Sequence, residues 1–158
     1  MAKKEVSTPA GVSASATPLS PGIKVGDTGY VSGQVGRHPT TGQMGSDIRE
    51  QTRNCLERIQ AILEAAGTSL GNVVSATCWL SNRESFAAFN EVYASYFPTD
   101  KPVRATVEAN LMAQGALVEI MVTACMPERL NVSVALPLFP TAAAAWSPPA
   151  RTRAWTLK

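Results

Sequence analysis

The sequence SDIREQTRNCLERIQAILEAAG occupies residues 46–67, and VVSATCWL follows it at residues 73–80. The first stretch repeats apolar or small residues every three or four positions, which is typical of one buried helical stripe. In the second stretch every other residue is apolar or small and would lie on one face, which is typical of a strand. The helical stripe consists of Ile48, Thr52, Cys55, Ile59, Ile62, Leu63 and Ala66. One face of the strand consists of Val74, Ala76, Cys78 and Leu80. We therefore expect a helix packed on a sheet.

A second helix is predicted after this strand. Ser81 and Glu84 have the spacing of a capping box, and aromatic or amide side chains follow at helical intervals. Pro98 and Pro102 prevent this helix from continuing. Its inward stripe is predicted to contain Phe86, Phe89, Asn90, Tyr93 and Phe97.

Further strands are predicted on both sides of the helices. We expect an early hairpin around residues 23–34 and a short strand near residues 42–44. Residues 104–111 and 117–125 are expected to pair with each other around a turn at 113–115. In the last strand one face holds Val118, Ile120, Val122 and Ala124, and the other holds Glu119, Met121 and Thr123.

The predicted element order is β-β-α-β-α-β-β, which indicates an α+β fold with a mixed sheet and two helices on one face. A single layer of two helices leaves the other face of the sheet uncovered. Burial of that face against copies of the same chain would make the protein a homo-oligomer.

Composition fits one domain with extensions at both ends. The chain has 158 residues, of which 45% are hydrophobic and 16% are charged, as in ordinary globular proteins. No apolar run reaches the roughly 18 to 20 residues that span a bilayer, and the N-terminus has no apolar stretch typical of a secretory signal. We expect a cytoplasmic protein without a membrane partner. Residues 1–17 are predicted to be a flexible segment, and residues 127–158 a Pro/Ala-rich extension that is ordered only if it docks.

Charge argues against a nucleic-acid partner. Residues 25–126 contain seven Lys or Arg and ten Asp or Glu, a net charge of −3, whereas residues 127–158 carry +3. A mildly acidic body is a poor surface for phosphates. Cys55, Cys78 and Cys125 have no metal-binding spacing and are interpreted as free thiols, with the first two in the core. The only histidine, His38, is interpreted as a solvated loop residue.

Several segments occur together in one order. They are VSGQVGRHPTTGQMGSDIREQTRNCLERIQAILEAAG, VVSATCWL, FAAFNEVYASYF, KPVRATVEA and GALVEIMVTA. Over about residues 18–126 they resemble the RidA (YjgF) family of reactive imine/enamine deaminases. The resemblance implies a chorismate-mutase-like domain, a homotrimer with clefts between subunits, and hydrolysis of 2-imino or enamine acids to 2-keto acids and ammonia. It implies a small carboxylate substrate and no metal or organic cofactor. Some members are instead described as translation inhibitors or ribonucleases.

The same resemblance makes Arg104 the catalytic anchor, because it stands where the family has an arginine that binds the substrate carboxylate. A planar guanidinium matches a carboxylate with two parallel charge-assisted hydrogen bonds. The residues alone favour an exposed strand-end arginine or an ion-pair partner of Glu108 or Asp100, and only the resemblance favours the substrate-binding role.

Other substrate-binding positions are implied in the same way. Ser32 and Gly33 are expected against the ligand, although they also fit a turn that ends a strand. Asn90 is expected either to contact the ligand or to form a structural hydrogen bond, since a buried amide needs partners. Thr106 follows Arg104 on the same strand face and offers one hydroxyl.

Two departures from the family pattern concern catalysis. Met121 stands where the deaminases often have a glutamate that orients the attacking water, and Leu19 stands where they usually have a tyrosine. Glu119 is expected to be structural, with water-mediated replacement of the missing glutamate as the alternative. Two alternatives to a deaminase therefore remain: a non-catalytic trimeric binder of small carboxylates and, less consistent with the charge, a ribonuclease or translation inhibitor.

Overall fold

A six-stranded mixed sheet and two α-helices make up the part of the chain that is described. The structure is a computed structural model, and it describes residues 3–12 and 17–127. The predicted C-terminal extension, apart from Pro127, lies outside these residues. The elements are β1 (Lys4–Ser7), β2 (Gly22–Val25), β3 (Thr28–Val35), α1 (Ile48–Ala65), β4 (Val73–Leu80), α2 (Phe86–Tyr96), β5 (Val103–Glu108) and β6 (Val118–Cys125). From β2 onward their order is the predicted β-β-α-β-α-β-β.

The strand β6 lies inside the sheet, whose order is β1-β2-β3-β6-β4-β5. It pairs antiparallel with both β3 and β4, while β5 lies at the edge and pairs in parallel with β4. The predicted pairing of residues 104–111 with 117–125 is therefore wrong. The reason is that α2 forms a crossover between β4 and β5, and such a crossover returns the chain parallel to the strand that it left.

The core lies between the sheet and the two helices. The helix α1 begins after Asp47, whose side chain accepts a hydrogen bond from the Glu50 backbone N–H at 2.9 Å. Its predicted stripe is confirmed, and the strands contribute alternate residues to the same cluster. Side chains with almost no exposed surface include Leu56, Ile59, Ile62, Leu63, Leu80, Phe89, Val118 and Ile120.

Three local predictions differ from the structure. Residues 42–44 form only a single bridge between Arg37 and Met44, because the loop closes on itself through His38 and Gln43. Asn82, not Ser81, caps the turn before α2 by accepting from the Glu84 N–H at 2.8 Å. The predicted flexible N-terminal segment contains β1, which pairs with β2. Three of its four side chains are exposed, so its sequence has no apolar alternation.

The sheet face turned away from the helices carries exposed apolar side chains. Tyr30, Val103, Val107 and Met121 are 50%, 72%, 49% and 42% exposed, and their strand register places all of them on this face. We refer to it as the open face. Within the described residues, no helix is long and apolar enough to cross a membrane.

Gln51 connects α1 to two loops at one end of the sheet. Its side-chain nitrogen donates to the Gly45 and Gly115 carbonyls, both at 2.9 Å, and its side-chain oxygen accepts from the Leu117 N–H at 2.7 Å. Only 1% of Gln51 is exposed. One buried amide therefore satisfies three backbone groups that no regular element would satisfy.

We expect Gln51→Ala to lower the free energy of unfolding by about 2 to 3 kcal/mol, because it leaves three backbone groups without their partner. Urea unfolding measures this change. The matched control is Gln60→Ala on the same helix, where the amide is exposed and bonds only to Glu64. The control should cost a few tenths of a kcal/mol, at about the level of a surface helix pair. Equal losses in the two variants would contradict the assignment.

Candidate functional site

Arg104 lies on β5 and faces the helix side of the sheet, because its register partners are Ala76 of β4 and, beyond it, the buried Val122 of β6. Its side chain is exposed, and its Nη2 donates to Asn90 Oδ1 of α2 at 2.8 Å. Neither Glu108 nor Asp100, the two ion-pair partners suggested by the sequence, bonds to it. Within the described ranges the remaining guanidinium donors have no protein acceptor, so an anion can reach them.

Aromatic rings of α2 surround one side of this guanidinium. Its central carbon Cζ lies 4.6 Å from the ring centroid of Tyr93, 5.3 Å from that of Phe89 and 5.9 Å from that of Phe86. These distances are within the range of cation–π attraction. The sequence predicts all three rings as a core stripe, but Phe86 is 43% exposed, and no local pattern indicates that the rings contact Arg104. The sequence indicates that these rings share one side of a helix with Asn90, but it does not indicate that β5 lies beneath α2.

Asn90 is predicted either to contact a ligand or to form a structural hydrogen bond, and its side-chain oxygen accepts a hydrogen bond from Arg104 of the same candidate site. No local sequence pattern indicates this partner. A role for Asn90 in direct ligand contact stays a prediction.

Thr106 and Cys78 lie next to each other beneath α2. They are register partners on the parallel strands β5 and β4, and Thr106 shares the strand face of Arg104, as predicted. The Thr106 hydroxyl is buried, and among the residues described its one polar neighbour is the Cys78 thiol, a weak hydrogen-bonding group. Cys78 is fully buried, and burial raises the pKa of its thiol to about 11, although the positive charge of Arg104 opposes this. Cys78 is therefore a neutral core thiol at physiological pH, as is Cys55, whose pKa is also raised by burial.

The Ser32–Gly33–Gln34 segment forms an irregular step in β3. The register of β3 with β6 shifts between Val31 and Gln34. The Ser32 hydroxyl donates to the Ser20 carbonyl at 2.7 Å, and the Gln34 side chain donates to the Ser32 carbonyl at 3.0 Å. Ser32 thus holds the segment that contains Leu19, which is 44% exposed. Its hydroxyl hydrogen is used, and only its oxygen is left to accept from a ligand.

Glu119 lies directly over Gly33. A Cβ atom added at Gly33 would overlap the Glu119 carboxylate, and the carboxylate forms no hydrogen bond or salt bridge with the described residues. The position over Gly33 where the family resemblance implies a ligand is thus occupied by a side chain of the same chain. A ligand that contacts Gly33 from this side has to displace Glu119.

The predicted site residues lie on two different faces of the sheet. Arg104 and Thr106 face the helices, whereas Glu119 and Met121 alternate with the buried residues of β6 and therefore lie on the open face. Gly33 contacts Glu119 on that same face. One chain brings together Arg104, Asn90 and Thr106 as one group and Gly33, Glu119 and Met121 as another, but does not bring the two groups together.

Comparison with known proteins identifies the family. The model of the family described as endoribonuclease L-PSP matches residues 11–126, most of the chain. A RutC family protein of Pyrococcus horikoshii is 45% identical over 104 residues, which cover 65% of this chain and 82% of that protein. This chain belongs to the endoribonuclease L-PSP family. It is the RidA (YjgF) family that the sequence motifs resemble.

Solved structures of this family share the fold. YyfA of Yersinia pestis, described as a protein of unknown function of the conserved Rid family, has a TM-score of 0.74 and 36% identity, covering 78% of this chain and all of that one, 100%. TdcF of Escherichia coli, solved with bound serine, has a TM-score of 0.73 and 28% identity. The match covers 77% of this chain and 98% of TdcF. Family membership fixes the fold, while the names within the family differ in the activity that they state.

We expect Gly33→Ala to lower the free energy of unfolding by about 1 kcal/mol, because the new methyl group has to push the Glu119 side chain away. In a Glu119→Ala background this cost should disappear, and urea unfolding of the two single variants and the double variant measures the coupling. Gly29→Ala, on the same strand, is the control, because its nearest neighbour would be the Ala124 carbonyl at 3.8 Å. The same loss for Gly33→Ala with and without Glu119 would contradict the contact.

Proposed function

We propose that this protein hydrolyses small 2-imino or enamine acids to 2-keto acids and ammonia. The observation that carries the proposal is Arg104, an exposed guanidinium held by Asn90 and three rings of α2 with most of its donors unpaired in the described part of the chain. Carboxylate binding by such a fork needs no metal and no organic cofactor. Membership of the RidA (YjgF) family supports the assignment of the reaction class.

The reaction proceeds by addition and elimination at one carbon. Arg104 binds the carboxylate through two parallel N–H bonds, which places the neighbouring imine carbon at a fixed distance from the protein. Water adds to that carbon and releases a proton to solvent, while the imine nitrogen, already protonated, becomes an amine. The amine nitrogen then takes a proton from solvent, and the carbon–nitrogen bond breaks as the added hydroxyl loses its own proton and becomes the keto oxygen. Ammonia leaves the 2-keto acid. A protonated imine is already strongly electrophilic, so water can attack it without a strong base. The main contribution of the protein to the rate is therefore the positioning of the substrate.

Missing acid–base groups limit the rate. Met121 has no acidic proton and no basic oxygen, and the thiol of Cys78 is neutral and buried. General acid–base help is typically worth about two to four orders of magnitude, so a site without it is slow. Glu119 is the one carboxylate of β6, and it lies on the same face of the strand as Met121.

We propose further that the complete site forms between copies of the chain in a homotrimer. Arg104 and Met121 lie on opposite faces of one sheet, so a neighbouring copy has to supply the open-face group for the two to meet. The exposed apolar residues of the open face favour such an assembly, since a monomer would leave them in water.

The first test is ammonia release from freshly generated 2-iminobutanoate. Arg104→Ala should lower kcat/KM by about 100-fold, because two charge-assisted hydrogen bonds are lost. Arg104→Lys should retain part of the activity, since an ammonium keeps the charge but not the fork. Arg83→Ala is the control, because Arg83 is exposed and contacts Glu108 only through its backbone N–H. Equal rates for wild type and Arg104→Ala would end the proposal.

A second candidate is a carboxylate binder without turnover. Met121 in place of an acid favours it, as does the bound serine in TdcF, which also carries a carboxylate. Under the deaminase proposal, Met121→Glu should raise an already measurable rate by about 10- to 100-fold. Met121→Gln, of similar size but unable to accept a proton at neutral pH, should leave the rate unchanged. An inert wild type that binds 2-oxobutanoate, together with an active Met121→Glu variant, would favour the binder.

A third candidate activity is RNA cleavage, which the family description as an endoribonuclease suggests. The charge of the protein supports this activity less well than it supports binding of a small carboxylate. The net charge of −3 over residues 25–126 gives little attraction for RNA phosphates. RNA cleavage that survives repeated purification and removal of residues 128–158 would favour the ribonuclease over the deaminase.

A further inference from the structure

Tyr93 is the aromatic residue nearest to the Arg104 guanidinium. Its ring centroid lies 4.6 Å from Cζ, closer than those of Phe89 and Phe86. The three rings are spaced at i, i+3 and i+7 on α2 and therefore form one row along its inner side. This aromatic row lies under a side chain that is itself exposed to solvent.

The Tyr93 ring is fixed by its neighbours. It stacks at a tilt between Phe89, at a centroid distance of 5.4 Å, and Phe97, at 4.7 Å, and only 6% of the residue is exposed. A free arginine side chain samples many rotamers, and ordering it costs free energy. A guanidinium that rests on a rigid ring has lost much of this freedom before any ligand arrives.

Asn90 fixes the remaining rotation. A guanidinium has two edges that each offer a pair of parallel N–H bonds, and both edges use one hydrogen of Nη2. The bond from Nη2 to Asn90 Oδ1 at 2.8 Å therefore occupies one edge and leaves the other. The ring row restricts where the guanidinium can lie, and Asn90 occupies one of its two edges.

The Tyr93 hydroxyl has a different status from the ring. It is buried and has no hydrogen-bond partner in the described part of the chain. Burial raises the pKa of Tyr93 far above its usual value, so the hydroxyl is neutral at physiological pH despite the Arg104 charge nearby. It can therefore be neither an anion that pairs with Arg104 nor a base for the reaction.

We propose that Tyr93 is a positioning residue whose ring, and not its hydroxyl, holds the Arg104 guanidinium where it presents one free edge to a carboxylate. The ligand class rests on the proposed function. The interaction between ring and guanidinium does not, because it is present in the chain without any ligand. The structure thus offers a matched pair of variants, Tyr93→Phe without the hydroxyl and Tyr93→Leu without the ring.

The first readout needs no ligand. In NMR spectra of the full chain, the Arg104 side-chain protons should show an upfield ring-current shift in wild type and in Tyr93→Phe. The shift should shrink clearly in Tyr93→Leu. Tyr96→Leu, the same substitution elsewhere on α2, is the control and should leave the Arg104 shift unchanged. Arg104→Ala identifies the signals. The same shift in wild type and in Tyr93→Leu would overturn the proposal.

The second readout is binding of 2-oxobutanoate, a stable 2-keto acid, by calorimetry. Tyr93→Leu should weaken the Kd by about 10-fold, within the range expected for a partly desolvated cation–π contact. Tyr93→Phe and Tyr96→Leu should stay within about twofold of wild type. A loss in Tyr93→Phe as large as that in Tyr93→Leu would assign the effect to the hydroxyl and overturn the proposal.

Two further arms keep the result decisive. If Tyr93→Leu does not fold, Phe86→Leu removes a half-exposed ring of the same row, at 5.9 Å, and should cause a smaller loss of shift and affinity. An unchanged shift and Kd in that variant would contradict the role of the row. If wild type neither binds 2-oxobutanoate nor releases ammonia, the proposed function fails, while the ring-current shifts still decide the role of Tyr93.

Discussion

Burial of one face of β6 is the constraint on which both the sheet and the candidate site depend. Val118, Ile120, Val122 and Ala124 are at most 2% exposed and pack beneath α1 between β3 and β4. Because side chains alternate along a strand, the residues between them have to lie on the open face. Met121 and Glu119 therefore cannot face the helices in this fold, whatever their chemistry.

The same alternation separates the anchor from the other predicted site residues. Residues paired across neighbouring strands lie on the same face of a sheet. Arg104 pairs with Ala76 and Ala76 pairs with Val122, so Arg104 lies on the helix side. This position gives the guanidinium its contacts with α2, and it also turns it away from Met121. One chain therefore carries one group of predicted site residues on each face of its sheet. In the proposed homotrimer, apposition of these faces from different copies would bring the two groups together and bury the apolar open face.

Much of the fold could be predicted from residues whose pattern is local. The stripe of α1 and the alternation of β4 from Ala76 to Leu80 reflect burial of nearby residues, and both match the structure. Val74 is predicted on the buried face of β4 but is 44% exposed, because a register shift between Val73 and Ser75 buries Val73 instead. The position of β5 could not be predicted, since it depends on the crossover through α2 and not on its own sequence. For the candidate site, the resemblance predicts Arg104 as the anchor, whereas its hydrogen bond to Asn90 joins residues 14 apart on different elements, and no local pattern indicates it. The contact of Glu119 with Gly33 joins residues that are farther apart still, and no local pattern indicates it.

Within one chain, Arg104 is a fixed cation without a base beside it, and this limits the reactions that it could assist. Arg104 can order a carboxylate, but among the described residues around it the polar groups are the neutral Asn90, Thr106, Tyr93 and Cys78. None of them can take a proton from water at neutral pH. Such a site accelerates only reactions in which the substrate itself is activated, as a protonated imine is and an amide or ester is not. A stable carboxylate held in the same place would be bound and released unchanged. Under the proposed function, the deaminase and the binder are therefore two outcomes of one geometry, and the reactivity of the ligand, together with the open-face residues that a neighbouring copy would supply, would decide between them.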